Sequence, residues 1–441
     1  MKPIKIAYFG LLTLLIMLWF LADNTLWTAS AFFPLRNGVV QLTGVIGMGV
    51  MSVAMLLAVR SGRIERWLGG LDKTYRLHKW LGITALVVSV THWLWAKGPK
   101  WAVGLGWLEK PRRGAGPPLG DIEQWFRAQR HFAEGVGEWA FYGAVVLMLL
   151  ALVKWFPYRH FFKTHRLLAI AYLVLVFHGV ILLDMNYWAQ PVGLLMAALM
   201  LGGTVAAFIS LFRRIGAGRR AVGEVAEVVH REIPHVLSVA VQLHDRWPGH
   251  VPGQFAFLTF DKAEGPHPFT ISSAWRGDGR LQFHIKELGD YTKRLPTLLR
   301  HGDLVTVEGP YGCFDFNGRK PGQIWVAGGI GLTPFIARLQ ALEGRTDDRP
   351  IDLFYSTNVP DDDVLTRLRS LAEQARVRLH VWVTQRDGFL TGARLRAAVP
   401  HWQGADVWFC GPAGFADGLR CDLVAAGMAK DDFHQELFAM R

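Results

Sequence analysis

The chain has 441 residues, of which 51% are hydrophobic and 19% are charged. This length allows two or three domains, and the hydrophobic excess favours a membrane protein. The net charge of +12 does not indicate a nucleic-acid-binding protein, because basic residues beside apolar segments account for much of it and no basic recognition motif is present. Three cysteines are too few for a four-cysteine iron-sulfur cluster.

Six apolar segments in the first half predict a bundle of six membrane-spanning helices. Several of them approach the length of about 20 residues that a bilayer requires. The first segment resembles a signal peptide in position, but it has no convincing small-residue cleavage site and is interpreted as a retained helix. The six segments cover approximately residues 4–21, 39–59, 80–95, 139–156, 167–183 and 192–212.

Basic residues cluster in the connections on one side of this predicted bundle. The positive-inside rule makes that side cytoplasmic, so we expect a multi-pass protein of the plasma (inner) membrane with both termini in the cytoplasm. The connection at 96–135, on the other side, carries seven Lys or Arg against four Asp or Glu, but this 40-residue connection weighs less than the consistent clusters. Those clusters are Lys2 and Lys5; Arg60, Arg63, Arg66, Lys73 and Arg76; Lys154, Arg159, Lys163 and Arg166; and Arg213, Arg214, Arg219 and Arg220.

Four histidines in the apolar half form two spaced pairs. His78 and His92 are 14 residues apart, and His165 and His178 are 13 apart. A rise of about 1.5 Å per residue separates the members of each pair by roughly 20 Å, so one histidine of each lies near each leaflet. Ionisable residues at this depth are costly and indicate function. Imidazoles from facing helices are common haem ligands, and the pattern predicts two stacked haems, with His78 and His165 near the inner face.

The two pairs differ in rotation about the helix axis. Fourteen residues bring His92 to within about 40° of His78, whereas 13 residues turn His178 about 140° from His165 on an ideal helix. The second helix must be tightened or kinked, or its ligands must approach from different sides. His160 lies five whole turns from His178, but it ranks below His165 because it occupies a polar connection. Any one of these histidines alone is equally well explained by a hydrogen bond inside the bundle.

The second half of the chain changes character after a Gly-Ala-Gly-Arg-Arg run that predicts a linker. Short β-branched segments then predict a small antiparallel barrel, and apolar strands alternating with helical stretches predict a doubly wound parallel sheet. The barrel strands are expected at 221–229, 236–243, 255–260 and 281–285. The parallel strands are expected at 324–327, 351–355, 378–384 and 407–410. The predicted domains are therefore 1–215 (six helices), 216–320 (barrel) and 321–441 (α/β).

A glycine-rich turn follows the first parallel strand, in the sequence Ala327-Gly328-Gly329-Ile330-Gly331-Leu332-Thr333-Pro334-Phe335. Glycines allow a backbone to approach a pyrophosphate, and the N-terminus of the next helix supplies amide donors. Alone, the cluster could equally be a tight strand-to-helix turn. Doubly wound sheets bind nucleotides at this edge, which favours the nucleotide-binding interpretation.

Five further motifs accompany that turn. They are His267-Pro268-Phe269-Thr270-Ile271-Ser272-Ser273, Phe283-His284-Ile285-Lys286, Gly289-Asp290-Tyr291-Thr292-Lys293-Arg294-Leu295, Gly309-Pro310-Tyr311-Gly312 and Phe409-Cys410-Gly411-Pro412. With these motifs the second half resembles the ferredoxin-reductase-like flavoprotein module. The resemblance implies a barrel that binds FAD and an α/β domain that binds NAD(P)H.

The resemblance also implies roles for individual residues. The segment from His267 to Ser273 cradles the flavin, Lys286 and the following glycine motif hold the FAD pyrophosphate, and Cys410 lies beside the nicotinamide. Phe438 matches the aromatic that covers the flavin ring, with Glu436 as its polar neighbour, although Phe438 could also be a plain core residue. The cofactor-binding residues implied are His267, Pro268, Phe269, Thr270, Ser272, Ser273, His284, Lys286, Gly289, Thr292, Leu295, Gly309, Pro310, Gly328, Gly329, Gly331, Thr333, Pro334, Ser356, Arg386, Gly411 and Pro412.

Together with the paired histidines, the whole chain resembles the NADPH oxidase and ferric reductase superfamily in a minimal form. The phrases around His78 and His165 resemble the ligand helices of that family, and its usual spacings match both pairs. The resemblance implies FAD, two haem b groups and NADPH or NADH as cofactors. With no EF-hand pattern and no long regulatory tail in the sequence, no obligatory protein activator is implied and we expect constitutive activity.

Electrons are expected to pass from NAD(P)H to FAD, then singly to the inner and outer haems and to an external acceptor, because hydride carries two electrons and haem accepts one. Oxygen, giving superoxide, is the first candidate acceptor. A ferric or cupric chelate and a partner protein remain alternatives, and a non-catalytic haem-binding module would leave the nucleotide motifs without purpose. NADPH is expected over NADH because Ser356 and Arg386 suit a 2′-phosphate. The acidic run at 361–363 argues the other way unless it caps a helix, which is the preferred interpretation.

Overall fold

The computed structural model describes residues 2–109, 120–153, 155–344 and 349–436. The chain divides into two compact units. The first comprises residues 1–68 and 73–215, and the second comprises 69–72 and 216–440.

All regular secondary structure in the described residues of the first unit is helical. Long apolar sequences without internal breakers form most of these helices, since in a lipid environment every backbone group must be hydrogen-bonded within the segment. The helices are α1 (Lys2–Ala22), α2 (Thr25–Thr28), α3 (Phe32–Ala58), α4 (Gly62–Leu68), α5 (Leu71–Gly104), α6 (Asp121–Leu152), α7 (Tyr158–His165), α8 (Leu168–Leu182) and α9 (Pro191–Leu211).

Five stretches of helix among the described residues are long and apolar enough to cross a membrane. They are Lys2–Ala22, Phe32–Ala58, Asp121–Leu152, Tyr158–Leu182 and Pro191–Leu211. The predicted third span lies in α5, which has ample length at 34 residues but is not among the five. Its apolar stretch is diluted by a histidine, several tryptophans and a lysine, which lowers its mean hydropathy. The chain is thus a multi-pass membrane protein with five to six apolar helices.

At both ends of the predicted connection at 96–135, the described residues continue the flanking helices: α5 extends to Gly104 and α6 begins at Asp121. Helix α5 continues to Gly104 even though Pro99 lies inside it and has no N–H to donate to the carbonyl of Trp95. Arg36 of α3 replaces that donor: its Nε donates to the Trp95 carbonyl at 3.1 Å and its Nη2 donates to the Ala96 carbonyl at 2.9 Å. This tertiary contact, which hydropathy does not reveal, stabilises the helix beyond the proline.

The second unit begins with a six-stranded antiparallel sheet in the order β4-β3-β6-β1-β2-β5. An isolated bridge between Ile271 and Phe283 joins its two ends, as expected for a barrel. Alternate residues of β5, including Leu281, Phe283 and Ile285, are buried in the apolar core. The strands are β1 (Arg220–Arg231), β2 (Val236–Leu243), β3 (Phe255–Thr259), β4 (His267–Thr270), β5 (Arg280–Lys286) and β6 (Leu304–Tyr311), with α10 (Asp290–Leu298) between β5 and β6.

The remainder of this unit is a five-stranded parallel sheet in the order β11-β10-β7-β8-β9. Apolar residues on both faces of its strands pack against the helices, as is usual for parallel sheets. The elements are β7 (Gly322–Gly328), α11 (Thr333–Leu342), β8 (Ile351–Thr357), α12 (Asp362–Gln374), β9 (Arg378–Val383), α13 (Thr384–Asp387), α14 (Gly392–Ala398), β10 (Ala405–Cys410), α15 (Ala413–Ala425) and β11 (Phe433–Gln435). The architecture of helices, antiparallel barrel and doubly wound sheet confirms the predicted fold class.

Candidate functional site

Two pairs of histidines face each other inside the helical unit. The ring centroids of His78 and His165 are 5.9 Å apart, with ring planes inclined by 68°. The ring centroids of His92 and His178 are 6.4 Å apart, with planes inclined by 78°. Helix α5 therefore supplies one imidazole to each pair, and α7 and α8 supply the other two.

Backbone carbonyls orient three of these four rings. The Nδ1 of His78 donates to the Ala54 carbonyl at 2.9 Å, the Nδ1 of His92 donates to the Val40 carbonyl at 3.1 Å, and the Nδ1 of His178 donates to the Ala133 carbonyl at 2.9 Å. A proton held at Nδ1 leaves Nε2 as the lone-pair nitrogen, which is the arrangement a metal-ligating imidazole requires. The Nδ1 of His92 also lies 3.0 Å from Thr43 Oγ1.

A break in the second ligand helix accounts for the 13-residue spacing. Helix α7 ends at His165 and α8 begins at Leu168. Across this junction Leu167, Ala169 and Ile170 donate backbone hydrogen bonds to the residues three positions earlier, at 2.9 to 3.0 Å. Such bonds tighten the turn to about three residues and add roughly 20° of rotation per residue. This extra rotation at the junction brings His178 closer to the side of the helix on which His165 lies. It agrees with the first alternative for the 13-residue spacing, a tightened helix.

The residues present fit haem ligation at both pairs. A bond from a metal to an imidazole nitrogen is about 2.0 Å, so two imidazoles on opposite sides of one ion have ring centroids roughly 6 Å apart. Both observed separations are close to this value. No cluster of three or more His, Cys, Asp or Glu side chains suited to a metal ion occurs among the described residues, and a haem needs only the two axial ligands. His160 is exposed, and the centroid of its ring lies 6.2 Å from that of Phe156.

Two glycines lie against the imidazoles of His92 and His178. A Cβ added at Gly137 of α6 would overlap Nδ1 of His178 and lie 2.7 Å from its Cγ, so only glycine fits there without moving the ring. A Cβ added at Gly44 of α3 would lie 3.5 Å from Cε1 of His92, which is an ordinary contact. Sequence reasoning missed Gly137, Thr43 and the carbonyl partners because they act through tertiary packing that no local pattern encodes.

The predicted flavin segment forms β4 and the turn after it. His267 stacks on Tyr291 of α10, with ring centroids 4.4 Å apart, and burial lowers the pKa of His267 to about 4. Pro268 and Phe269 pair with β3. Thr270 and Ser272 are buried, and the Ser273 hydroxyl accepts a hydrogen bond from the Gln282 amide at 3.1 Å.

The second flavin motif lies where β5 leads into α10. The Thr292 hydroxyl accepts hydrogen bonds from the Leu288 and Gly289 amides, both at 3.0 Å, and so fixes the start of α10. A helix N-terminus next to Lys286 is suited to a pyrophosphate. Leu295, by contrast, is buried in the barrel core.

The remaining predicted flavin residues lie in strands β5 and β6 of the barrel. His284 of β5 bonds through its Nδ1 to the Ser238 hydroxyl at 2.8 Å. Burial, reinforced by the positive charges of Arg367 and Arg231, lowers its pKa to about 4. Gly309 and Pro310 lie in β6, where Arg219 donates to the Pro310 carbonyl at 3.2 Å.

The glycine-rich turn and the segment after β10 meet at the carboxyl edge of the parallel sheet. A Cβ added at Gly328 would lie 2.8 Å from Pro412 Cδ, and one added at Gly331 would lie 2.8 Å from the Gly411 nitrogen. Glycine is therefore needed for these two backbones to approach. Gly329 has a φ of +55°, and Thr333 and Pro334 begin α11, so amides at the start of this helix face the same edge.

Cys410 ends β10 at this same edge. It is fully buried, and burial together with the Glu436 carboxylate raises the pKa of its thiol well above the usual value, so it is a neutral thiol at physiological pH. A Cβ added at Gly312 would lie 3.4 Å from Glu436 Oε1, which places Glu436 beside the loop after β6. Phe438 lies outside the described residues.

Ser356 and Arg386, the residues expected to bind the 2′-phosphate, lie near the end of strand β8 and shortly after strand β9, respectively. Arg386 donates two hydrogen bonds to the carboxylate of Asp387, at 2.8 and 2.9 Å, and is exposed. Asp361 accepts from the Val364 amide and caps α12, and it also accepts two hydrogen bonds from Arg231 of β1. The acidic run is thus a helix start, as the preferred interpretation has it.

Three family models match successive parts of the chain. The model for a ferric reductase like transmembrane component matches residues 43–176. A model for an FAD-binding domain matches 225–314, and a model for an oxidoreductase NAD-binding domain matches 325–420. The first contains His78, His92 and His165 and ends two residues before His178, and the other two contain the motifs of the second unit except those near the C-terminus.

Similar proteins fall into two groups. Respiratory burst oxidase homolog protein E of Arabidopsis thaliana is 31% identical over 230 residues, which are 45% of this chain and 23% of that protein. The toluate 1,2-dioxygenase electron transfer component of Pseudomonas putida is 26% identical over 199 residues, or 43% of this chain and 59% of that protein. Among solved structures, the Amycolatopsis cytochrome P450 reductase GcoB aligns with a TM-score of 0.45 and 22% identity over 50% of this chain and 70% of that chain.

The chain thus spans less than two thirds of either of these two relatives. Its three matched regions follow one another, separated by 48 and 10 residues. A transmembrane component precedes FAD- and NAD-binding domains of oxidoreductases, and a respiratory burst oxidase is among the relatives. The chain therefore combines a membrane component with an FAD-binding domain and an NAD-binding domain of the oxidoreductase type. The domain order of the chain matches that of the NADPH oxidase and ferric reductase superfamily.

Proposed function

We propose that this protein carries electrons from cytosolic NAD(P)H, through FAD and two haem b groups, to an acceptor on the other side of the plasma membrane. The proposed domains are 1–215 for the haems, 216–320 for FAD and 321–441 for NAD(P)H. Both termini are cytoplasmic in this proposal, because basic residues cluster on that side of the bundle.

The two facing histidine pairs carry the proposal. Their centroid separations of 5.9 and 6.4 Å suit one metal ion between each pair of rings. An uncharged hydrogen-bonding role for one histidine is common, but two pairs with ring separations suited to a metal are better explained by paired axial ligation. The match to the transmembrane component covers three of the four residues, His78, His92 and His165, and ends two residues before His178.

In this proposal, separate groups of residues bind the haems, the flavin and the nicotinamide. His78 and His165 hold the inner haem and His92 and His178 the outer one, while the apolar helices keep water away from both. The segment from His267 to Ser273 orients the flavin. Cys410 and the glycine-rich turn place the nicotinamide, and Phe438 with Glu436 controls its access. When bound, FAD converts hydride into single electrons and the haems carry them one at a time.

Oxygen is the acceptor we propose, with superoxide as the product. Arg36 holds a permanent positive charge at the carbonyls of Trp95 and Ala96, about one turn beyond His92 in α5. A positive field there favours the departure of an anion such as superoxide. The same field would attract an anionic ferric or cupric chelate, which is the second candidate, and a partner protein is the third.

Reoxidation of the reduced protein separates these acceptors. Protein in detergent with FAD is reduced by NADPH without oxygen and then exposed to air, with cytochrome c present and with or without superoxide dismutase. Fast reoxidation with dismutase-sensitive cytochrome c reduction supports the oxidase. Haems that stay reduced in air until a ferric chelate is added identify a metal reductase, and haems that respond to neither point to a partner protein.

The coenzyme preference can be tested at Arg386. The Arg386→Ala variant is expected to raise the KM for NADPH about tenfold, the effect of losing a charge-assisted hydrogen bond to the 2′-phosphate, and to leave the KM for NADH unchanged. Arg369→Ala, which removes an exposed positive charge from α12, is the matched control. An unchanged KM for NADPH in Arg386→Ala would assign the 2′-phosphate to other residues.

A further inference from the structure

One of the four paired imidazoles is held differently from the others. The Nδ1 atoms of His78, His92 and His178 each donate to a backbone carbonyl. The Nδ1 of His165 is buried and has no hydrogen-bond partner within the part of the chain that the structure describes. A buried N–H without an acceptor costs free energy, so another contact must fix this ring.

Phe161 supplies such a contact. It lies one helical turn before His165 in α7, and the two rings stack with centroids 5.0 Å apart and planes inclined by only 25°. His78 is the other imidazole of this site. Its ring centroid lies 5.9 Å from that of His165, and the two ring planes are inclined by 68°. His165 also occupies the last position of α7, directly before the tightened junction.

We propose that Phe161 is the positioning residue of the inner site and that ring stacking there replaces the carbonyl hydrogen bond that orients the other three imidazoles. This inference rests on the proposed haem ligation. It makes the two sites chemically unequal. The outer site has two imidazoles polarised through Nδ1, and the inner site has one polarised imidazole and one that is not.

The unequal sites predict a selective effect of changes at Phe161. Loss of the flat ring frees His165 to rotate, which weakens one axial bond of the inner haem and leaves the outer haem untouched. Phe161→Leu keeps apolar volume without the ring, and Phe161→Tyr keeps the ring. Phe162→Leu is the matched control, because Phe162 is the next residue in α7 and stacks on Tyr158 with centroids 6.5 Å apart.

The experiment is electron paramagnetic resonance of the ferric haems in the purified full-length protein, together with a pyridine haemochrome assay of haem per chain. In Phe161→Leu, one of two low-spin signals should shift or disappear, and haem content should fall toward about one per chain. Phe161→Tyr and Phe162→Leu should keep both signals and both haems. Flavin content, measured on the same samples, reports whether the protein is folded.

Two results would overturn the inference. One is a Phe161→Leu spectrum identical to that of Phe162→Leu, and the other is equal disturbance of both signals with flavin retained. A failure of the proposed function itself looks different, because the unsubstituted protein would then bind no haem or would show no bis-imidazole signal. If Phe161→Leu does not accumulate, Phe161→Met, which is also apolar and lacks the ring, takes its place: a shift or loss of one signal supports the inference, and two unchanged signals oppose it.

Discussion

Replacing His165 with alanine is expected to remove one of the two haems and to stop electron transfer from NADPH beyond the flavin. The remaining ligand, His78, would have no second imidazole at 5.9 Å to share a metal ion. Loss of an outer-shell partner of a ligand costs up to about 100-fold in metal affinity or activity, and loss of the ligand itself should cost more. Haem content, the reduced α band and NADPH-driven haem reduction measure the effect.

FAD binding should survive this substitution, because the flavin motifs belong to the other compact unit. His160→Ala is the matched control: it removes an exposed imidazole from the same short helix and should keep both haems. If His165→Ala retained two haems while His160→Ala lost one, the inner ligand would be His160 and the assignment made here would be wrong.

Gly137→Ala is expected to disturb the other haem, the one between His92 and His178. The new methyl group would overlap the Nδ1 of His178 and break its hydrogen bond to the Ala133 carbonyl. Since the ring cannot stay in place, its axial bond is strained or lost. Losing the hydrogen bond that orients His178 should lower affinity for the haem between His92 and His178 by about 10-fold or more. Redox titration and electron paramagnetic resonance of the two haems measure the change.

Gly44→Ala is the control that makes this prediction specific. Its methyl group would meet His92 Cε1 at 3.5 Å, an ordinary contact, so both haems should be retained. The inner haem signal should be unchanged in both variants. Equal haem loss in Gly44→Ala and Gly137→Ala would show that added bulk in the bundle, and not displacement of His178, is responsible.

Much of the architecture could be predicted from the sequence because it depends on local patterns. Apolar segments near 20 residues long marked most of the helices, and β-branched runs marked four strands of the barrel. Two barrel strands escaped prediction. Strand β4 contains Pro268, which usually argues against a strand, and β6 carries a glycine and a proline near its end.

Only part of the candidate site could be predicted from the sequence, for a different reason. The spacings of 14 and 13 residues are visible in the sequence, but the break at residues 166–167 that reconciles the shorter one is a matter of backbone geometry. Similarly, Gly137 and the Ala133 carbonyl lie on a helix distant in sequence from His178. Contacts between helices depend on packing, which a single sequence does not display.

The same limit applies to the helical ends of the connection at 96–135. Proline normally ends a helix, so the extension of α5 past Pro99 is not visible in the local sequence. The compensating donors come from Arg36, about 60 residues earlier in the chain.

The central claim is that NADPH reduces two bis-histidine haems within this one chain. The most direct test is to add NADPH without oxygen to the purified full-length protein loaded with FAD, and to follow the flavin absorbance together with the haem Soret and α bands. We predict that the flavin and both haems are reduced, with two haems per chain by pyridine haemochrome. Reduction of the flavin with no change in the haem bands, or a protein that binds FAD but no haem, would contradict the account.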